Sequence, residues 1–236
     1  MERVTGRDGF PSYMESRGIQ PDAKGAIMTE GIPWDLETLR NEVLSMCQQT
    51  LEVLKLVWQG FRRQDMESLQ QAKQLCQEIH QREKVLTEKV VKELSDQSGF
   101  LAEEQELFFA PLHLERIGDN VELLIRALES VLAEGILFSE RAIGEINTLF
   151  EKATELLECI HDVLVTKNRV LIRHILEEGR HYEELVNEYA SVHQQRLIEG
   201  VCMPKASSIY LAILDDLRGI EWHTRQIAQE LAAGGR

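Results

Sequence analysis

The chain has no long apolar run: nothing approaches the roughly 18 consecutive apolar residues of a membrane span, and the greasiest region, 130–138, is broken by Glu134 and Gly135. Proline is scarce, with 5 in 236 residues, and aromatics make up only 6%, which argues against a sheet-rich fold with many turns. The four cysteines, Cys47, Cys76, Cys159 and Cys202, are widely spaced and form no Cys-x-x-Cys, so they read as small core residues in a reducing compartment. Basic charge is also in short supply. Forty acids against 26 bases give a net charge of -14, which repels phosphate backbones and anionic lipid and excludes nucleic acid as an expected partner. No Gly-rich phosphate loop, no Gly-x-Ser-x-Gly and no nucleophile beside a local base is present, so no enzyme is expected. Residues 1–32 hold five glycines and two prolines but no apolar core segment. They read as a flexible leader rather than a signal peptide, on a cytoplasmic protein at most peripheral to a membrane.

What the chain does have is helical rhythm. After Pro33 and Trp34-Asp35, the residues Leu39, Val43, Met46, Thr50, Leu54 and Val57 recur at spacings of three and four, a first amphipathic helix. A break at 62–65 precedes a second stripe: Leu69, Ala72, Leu75, Ile79, Leu86 and Val90, with Glu83 as its polar exception. A third helix starts near Ala102 and runs through Leu114, Ile117, Val121 and Leu128 to a stop at Gly135, with Pro111 as a potential kink. The plan then repeats. Ser139 caps a fourth helix, Thr166-Lys167-Asn168 separates it from a fifth ending near Gly200, and Pro204 to Ser208 opens a sixth. Short connections imply antiparallel neighbours. The expected architecture is therefore all-α, two tandem three-helix bundles over 33–136 and 137–236. Leu114-Glu115-Arg116-Ile117 and Leu217-Arg218-Gly219-Ile220 occupy matching places in the third and sixth helices, as a duplication would leave them.

Chemistry concentrates at Glu115-Arg116-Ile117-Gly118-Asp119-Asn120. Two acids four apart share one helix face inside an apolar run, and buried carboxylates call for a cation or a basic partner. Gly118 costs about 1 kcal/mol relative to alanine in a helix, and reads as room left for a neighbour or a ligand. If helices two and three turn near Phe100 and Leu101, Glu83 falls level with Asp119, and Glu115 and His80 lie one turn to either side. Glu83, Glu115, Asp119 and His80 are accordingly the candidate metal ligands, an oxygen-rich set suited to Fe, Mn or Mg.

These residues resemble the PhoU family of phosphate-transport and phosphate-signalling regulators, built from two three-helix bundles with an acidic-x-x-x-Asp metal motif in each. Leu114 to Asn120 looks like that motif in full. The second half is similar at Arg196 to Gly200, Ser207 to Leu211 and Asp216 to His223, wording also close to the PhoU-like cytosolic tails of sodium/phosphate cotransporters. It departs where the second motif's acids would stand: Arg218 and Trp222 take those places, and neither ligates a cation. Asp215, Asp216, Glu183 and His223 are the residues that a remnant site would use. The resemblance implies a non-catalytic adaptor whose partners are a phosphate-transporter component and a sensor kinase, with a homodimer left open. The alternatives are a ferritin-like oxidoreductase using Glu158-x-x-His161 and Glu178-x-x-His181, and a metal-free helical interaction module.

Overall fold

The structure, a computed structural model, describes residues 20–21, 27–28, 36–96 and 102–234. Most of the expected leader over 1–32, the helix start at Pro33 and Trp34, and the turn at Phe100 and Leu101 lie outside the described residues. Within the leader, two short strands are described: β1 (Gln20–Pro21) pairs antiparallel with β2 (Ile27–Met28), Gln20 opposite Met28 and Pro21 opposite Ile27. Residues from Leu36 to Arg236 form one compact unit.

Six helices follow the order read from the sequence: α1 (Leu36–Arg63), α2 (Met66–Asp96), α3 (Ala102–Glu134), α4 (Glu140–Thr166), α5 (Arg169–Ile198) and α6 (Pro204–Gly234). Local chemistry sets their ends. At the α1–α2 turn, Gln64 takes a left-handed conformation with φ 52°, and the Asp65 carboxylate accepts from the backbone N–H of Glu67 and Ser68, capping α2. Gly135, at φ 62°, closes α3 where a β-carbon would be strained. Ser139 accepts from the Ala142 N–H to start α4, left-handed Lys167 ends it, and Asn168 starts α5 by accepting from Val170 N–H. Proline 204 opens α6, where its missing N–H has no intrahelical role. Pro111 sits inside α3.

The predicted stripes are the buried ones. Val43, Met46, Leu54, Val57, Leu114, Ile117, Val121, Leu217 and Ile220 are fully buried, so the paired segments of α3 and α6 do face the core alike. Within the first bundle α1, α2 and α3 pack on one another, and within the second α4 and α5 each pack on α6. The most extensive helix-to-helix contact in the molecule is nevertheless between α3 and α6, and α1 also packs on α4. Trp58 shows how: it stacks on Phe150 and donates from Nε1 to Asn147 Oδ1 at 2.7 Å. The two bundles therefore share a wall, and that wall carries the acidic motif.

Candidate functional site

α3 is flanked by α2 on one side and α6 on the other, and its register against α2 follows from two close approaches. Gly118 faces Ile79, and Glu115 Oε1 lies 3.0 Å from His80 Nδ1. Those pairings place Glu83 level with about residue 113, some 9 Å along the helix from Asp119 at 1.5 Å per residue. Glu83 instead accepts from Thr87 Oγ1 one turn along its own helix, at 2.6 Å. Asp119 accepts from Arg116 at 2.9 Å, and the same guanidinium lies 3.5 Å from Glu115. Of the four predicted ligands, the fold brings Glu115 and His80 together and leaves Glu83 and Asp119 with other partners.

Glu115 is nearly buried, at 8% exposure, with a His80 ring nitrogen beside it and its charge met by the Arg116 guanidinium. The cation that buried carboxylates require is thus supplied by the chain itself. Among the described residues no group of three or more His, Cys, Asp or Glu side chains stands together as a metal site needs. As arranged, Glu83, Glu115, Asp119 and His80 do not fit a metal: Arg116 spans the two motif acids. Nor does a close helix approach demand Gly118, since a β-carbon there would meet only Ile79, at an ordinary contact of 3.7 Å.

On the α6 side of the seam lie residues that the sequence reading passed over or treated as remnants. His113 and His223 face each other, Nδ1 to Nδ1, at 3.0 Å, with Trp222 edge-on to both rings. Such a contact requires one ring to donate and the other to accept, so the accepting ring must be neutral and the two cannot both be protonated. Burial, then the neighbouring His113 and Arg116, lowers His223 to about 4, and burial lowers His113 as well. Asn120 lies against Gly219, whose missing side chain makes this close approach possible: a β-carbon would come within 2.2 Å of Asn120 Oδ1.

In the second bundle Arg218 contacts Asn187 and Asp215, and its Nε is buried without a partner. Glu183 does not join Asp215, Asp216 and His223. It accepts from Arg225, which also binds the fully buried Glu221 at 2.9 Å. Burial raises Glu221 to about 7 in spite of that arginine. Gly179 on α5 makes the space, because a β-carbon there would sit 2.2 Å from Glu221 Oε1. Burial, then Asp215, raises Asp216 to about 6. At the far end of this bundle Glu145 accepts from Arg141, Arg196 and Tyr210; burial alone would raise its pKa, but these donors hold it low. A glutamate followed four residues later by arginine, or preceded by one, is the sequence signal that marks both clusters.

The ferritin-type residues do not assemble. Glu158 pairs with Lys55, His161 lies nearest Asp162, and Glu178 is shared between Lys152 and His181 on the helix surface. A cavity of about 240 Å³ beneath the α3–α4 connection is lined mainly by apolar side chains, among them Phe61, Leu128, Leu132 and Phe138. No helix among the described residues is long and apolar enough to cross a membrane.

Two three-helix bundles sharing a wall, with an acidic motif displayed along it, define the class of six-helix tandem-bundle proteins. Within that class the chain has the PhoU fold. It superposes on PhoU from Pseudomonas aeruginosa with a TM-score of 0.80 at 18% identity, over 85% of this chain and 97% of that one. The phosphate transport system regulatory protein PhoU from Streptococcus pneumoniae gives 0.75 at 15% identity, over 85% and 94%. A PhoU-like protein from Shewanella oneidensis gives 0.54 at 13%, over 83% and 97%. No curated protein matches the sequence. By sequence, residues 63–188 fall under the family model described as "Sigma-54, DNA binding domain". That stretch begins at the last residue of α1 and stops within α5, so it closes neither bundle. It also carries 26 acids against 14 bases, a charge that opposes a DNA backbone. The fold correspondence, by contrast, is continuous over both bundles.

Proposed function

We propose that the chain is a regulator of phosphate transport, a non-catalytic adaptor that meets a phosphate-transporter component and relays its state to a sensor kinase in the cytoplasm. The observation that carries this reading is the backbone correspondence with nearly the full length of a PhoU protein. The acidic surface supports it: with a net charge of -14, the chain is matched electrostatically to basic protein faces, which it would find quickly and bind selectively. A divalent or iron-type ion at Glu115 and Asp119 would first have to displace Arg116, and the regulatory role stands without one.

Phosphate uptake in cells lacking the chain tests the proposal. At high external phosphate, uptake should stay several-fold above that of cells carrying it, and reintroducing the full chain should restore restraint. Uptake that follows external phosphate identically with and without the chain overturns it.

A further inference from the structure

The cavity of about 240 Å³ beneath the α3–α4 connection is built from both bundles: Phe61 and Gln64 come from the end of α1 and the turn after it, Leu128 and Leu132 from the last two turns of α3, and Ile143 from the first turn of α4. Its walls are mainly apolar. An apolar cavity of about 150 Å³ stays dry and admits benzene, so this one has room for a hydrocarbon chain of about eight carbons. The connection over it, residues 135–139, carries three large apolar residues in succession, Ile136, Leu137 and Phe138, where a surface loop is ordinarily polar, and all three line the cavity. Leu137 is 79% exposed and Ile143 40%, so the apolar surface continues from the interior out through the mouth.

Two polar side chains of the lining, Arg62 and Gln64, are exposed and stand at that mouth. Among the described residues neither has a hydrogen-bond or carboxylate partner for its side chain. The Arg62 guanidinium carbon lies 5.5 Å from the centre of the Trp58 ring, a contact that holds the group in place and leaves its N–H donors free. The nearest acid in sequence, Asp65, is already engaged by the Ser68 hydroxyl and by the N–H groups of Glu67 and Ser68. In a chain of 40 acids and 26 bases, an arginine left without a carboxylate beside an apolar cavity marks what its occupant should carry: one negative group at the mouth and hydrocarbon behind it. An uncharged apolar guest would leave the guanidinium and the amide unmet. A doubly charged phosphate ester would meet a single arginine in a strongly acidic chain.

We propose that this cavity binds an unesterified medium-chain alkyl carboxylate, its chain beneath Ile136 and Phe138 and its carboxylate against Arg62 and Gln64. Because α1 and α3 supply one side of the site and α4 the other, the guest touches both bundles, and its binding raises the stability of the folded chain. The site is read from its own chemistry, and binding to the purified chain is decided separately from any role in phosphate transport.

Calorimetric titration of the full chain with sodium octanoate tests this. Octanoate should bind saturably at one equivalent, with a negative change in heat capacity and a rise in melting temperature. Butyrate, with half the chain, should bind about a hundredfold more weakly, and methyl octanoate, which keeps the chain and loses the charge, about tenfold more weakly. Arg62→Gln should remove the difference between acid and ester. Ile143→Trp, which closes the mouth, should abolish binding of both. The two positions are exposed, and circular dichroism follows the helicity of each variant. No saturable binding of octanoate, an ester that binds as tightly as the acid, or variants that bind octanoate as the wild type does overturns the proposal.

Discussion

The two bundles answer the same electrostatic question in opposite ways. In the first, Glu115 and Asp119 stand at the rim of the seam, and Arg116, exposed to water, reaches both. In the second, Glu221 is sunk completely between α5 and α6 and is held by Arg225, itself largely buried, with Gly179 hollowed out to admit them. Each bundle supplies the cation from its own chain. The Arg116–Asp119 pair, about half exposed on both sides, can exchange partners at small cost, since exposed ion pairs contribute about 0–1 kcal/mol. The sunken version cannot, because a charge left alone there has no water to turn to. The first bundle is thus built to interact outward and the second to hold its own shape.

The sharpest way to break this comparison is to remove the sunken cation. Arg225→Ala should cost about 3–5 kcal/mol of stability, as expected when one member of a buried pair is lost, whereas Arg116→Ala should cost under about 1 kcal/mol. Urea unfolding of both variants reads the difference, and equal losses would erase the distinction between the bundles. An intermediate effect is expected at the shared wall. The His113–His223 bond is lost once both rings are protonated, and burial, then His113 and Arg116, holds His223 at about 4, below its ordinary 6.5. Because the folded value is the lower one, the contact contributes fully above pH 6.5, and its contribution is lost as pH falls through 4. Glu221 works against it: raised to about 7, it weakens the fold as pH rises from 4.5 through 7. The wild-type curve therefore mixes both signs, and His223→Asn is the separating variant. Its melting temperature should fall less on acidification from 6.5 to 4 than that of the wild type, by about 2–4 °C if the bond contributes about 1 kcal/mol. Parallel curves for the two proteins would remove the histidine pair from the account. The smallest effect is at the rim: Gly118→Ala meets only Ile79 at 3.7 Å and should stabilise by about 0.5–1 kcal/mol through helix propensity, measured by the same urea titration. A loss of stability there would mean that the glycine is needed for space after all.

The helices were legible because their signals are local. Ser139, Asn168, Gly135 and Pro204 each fix an end through their own backbone chemistry, and the apolar stripes needed only a period of 3.6. The candidate site was legible only as a set of residues on α3. Whether Glu83 meets Asp119 depends on the relative height of α2 and α3, which no residue between them announces, and assuming a turn at Phe100 put Glu83 more than a turn out of place. Arg116 was in plain sight beside Glu115, but neighbours in sequence point to different helix faces, so its reach back to both acids depends on a long flexible side chain rather than on spacing. Gly179 carried the faintest signal: a glycine in mid-helix has meaning only once the residue packed across from it is known.

The contact between α3 and α6 has a consequence for how such a chain can change over time. Each of these helices is the last of its own trio and also the chief neighbour of the other, so melting either trio would strip packing from the other. A substitution tolerated by one half must be tolerated by a surface that both halves own. At the matching places of these two helices the chemistry differs, acidic at Glu115 and Asp119 on α3 and basic or aromatic at Arg218 and Trp222 on α6.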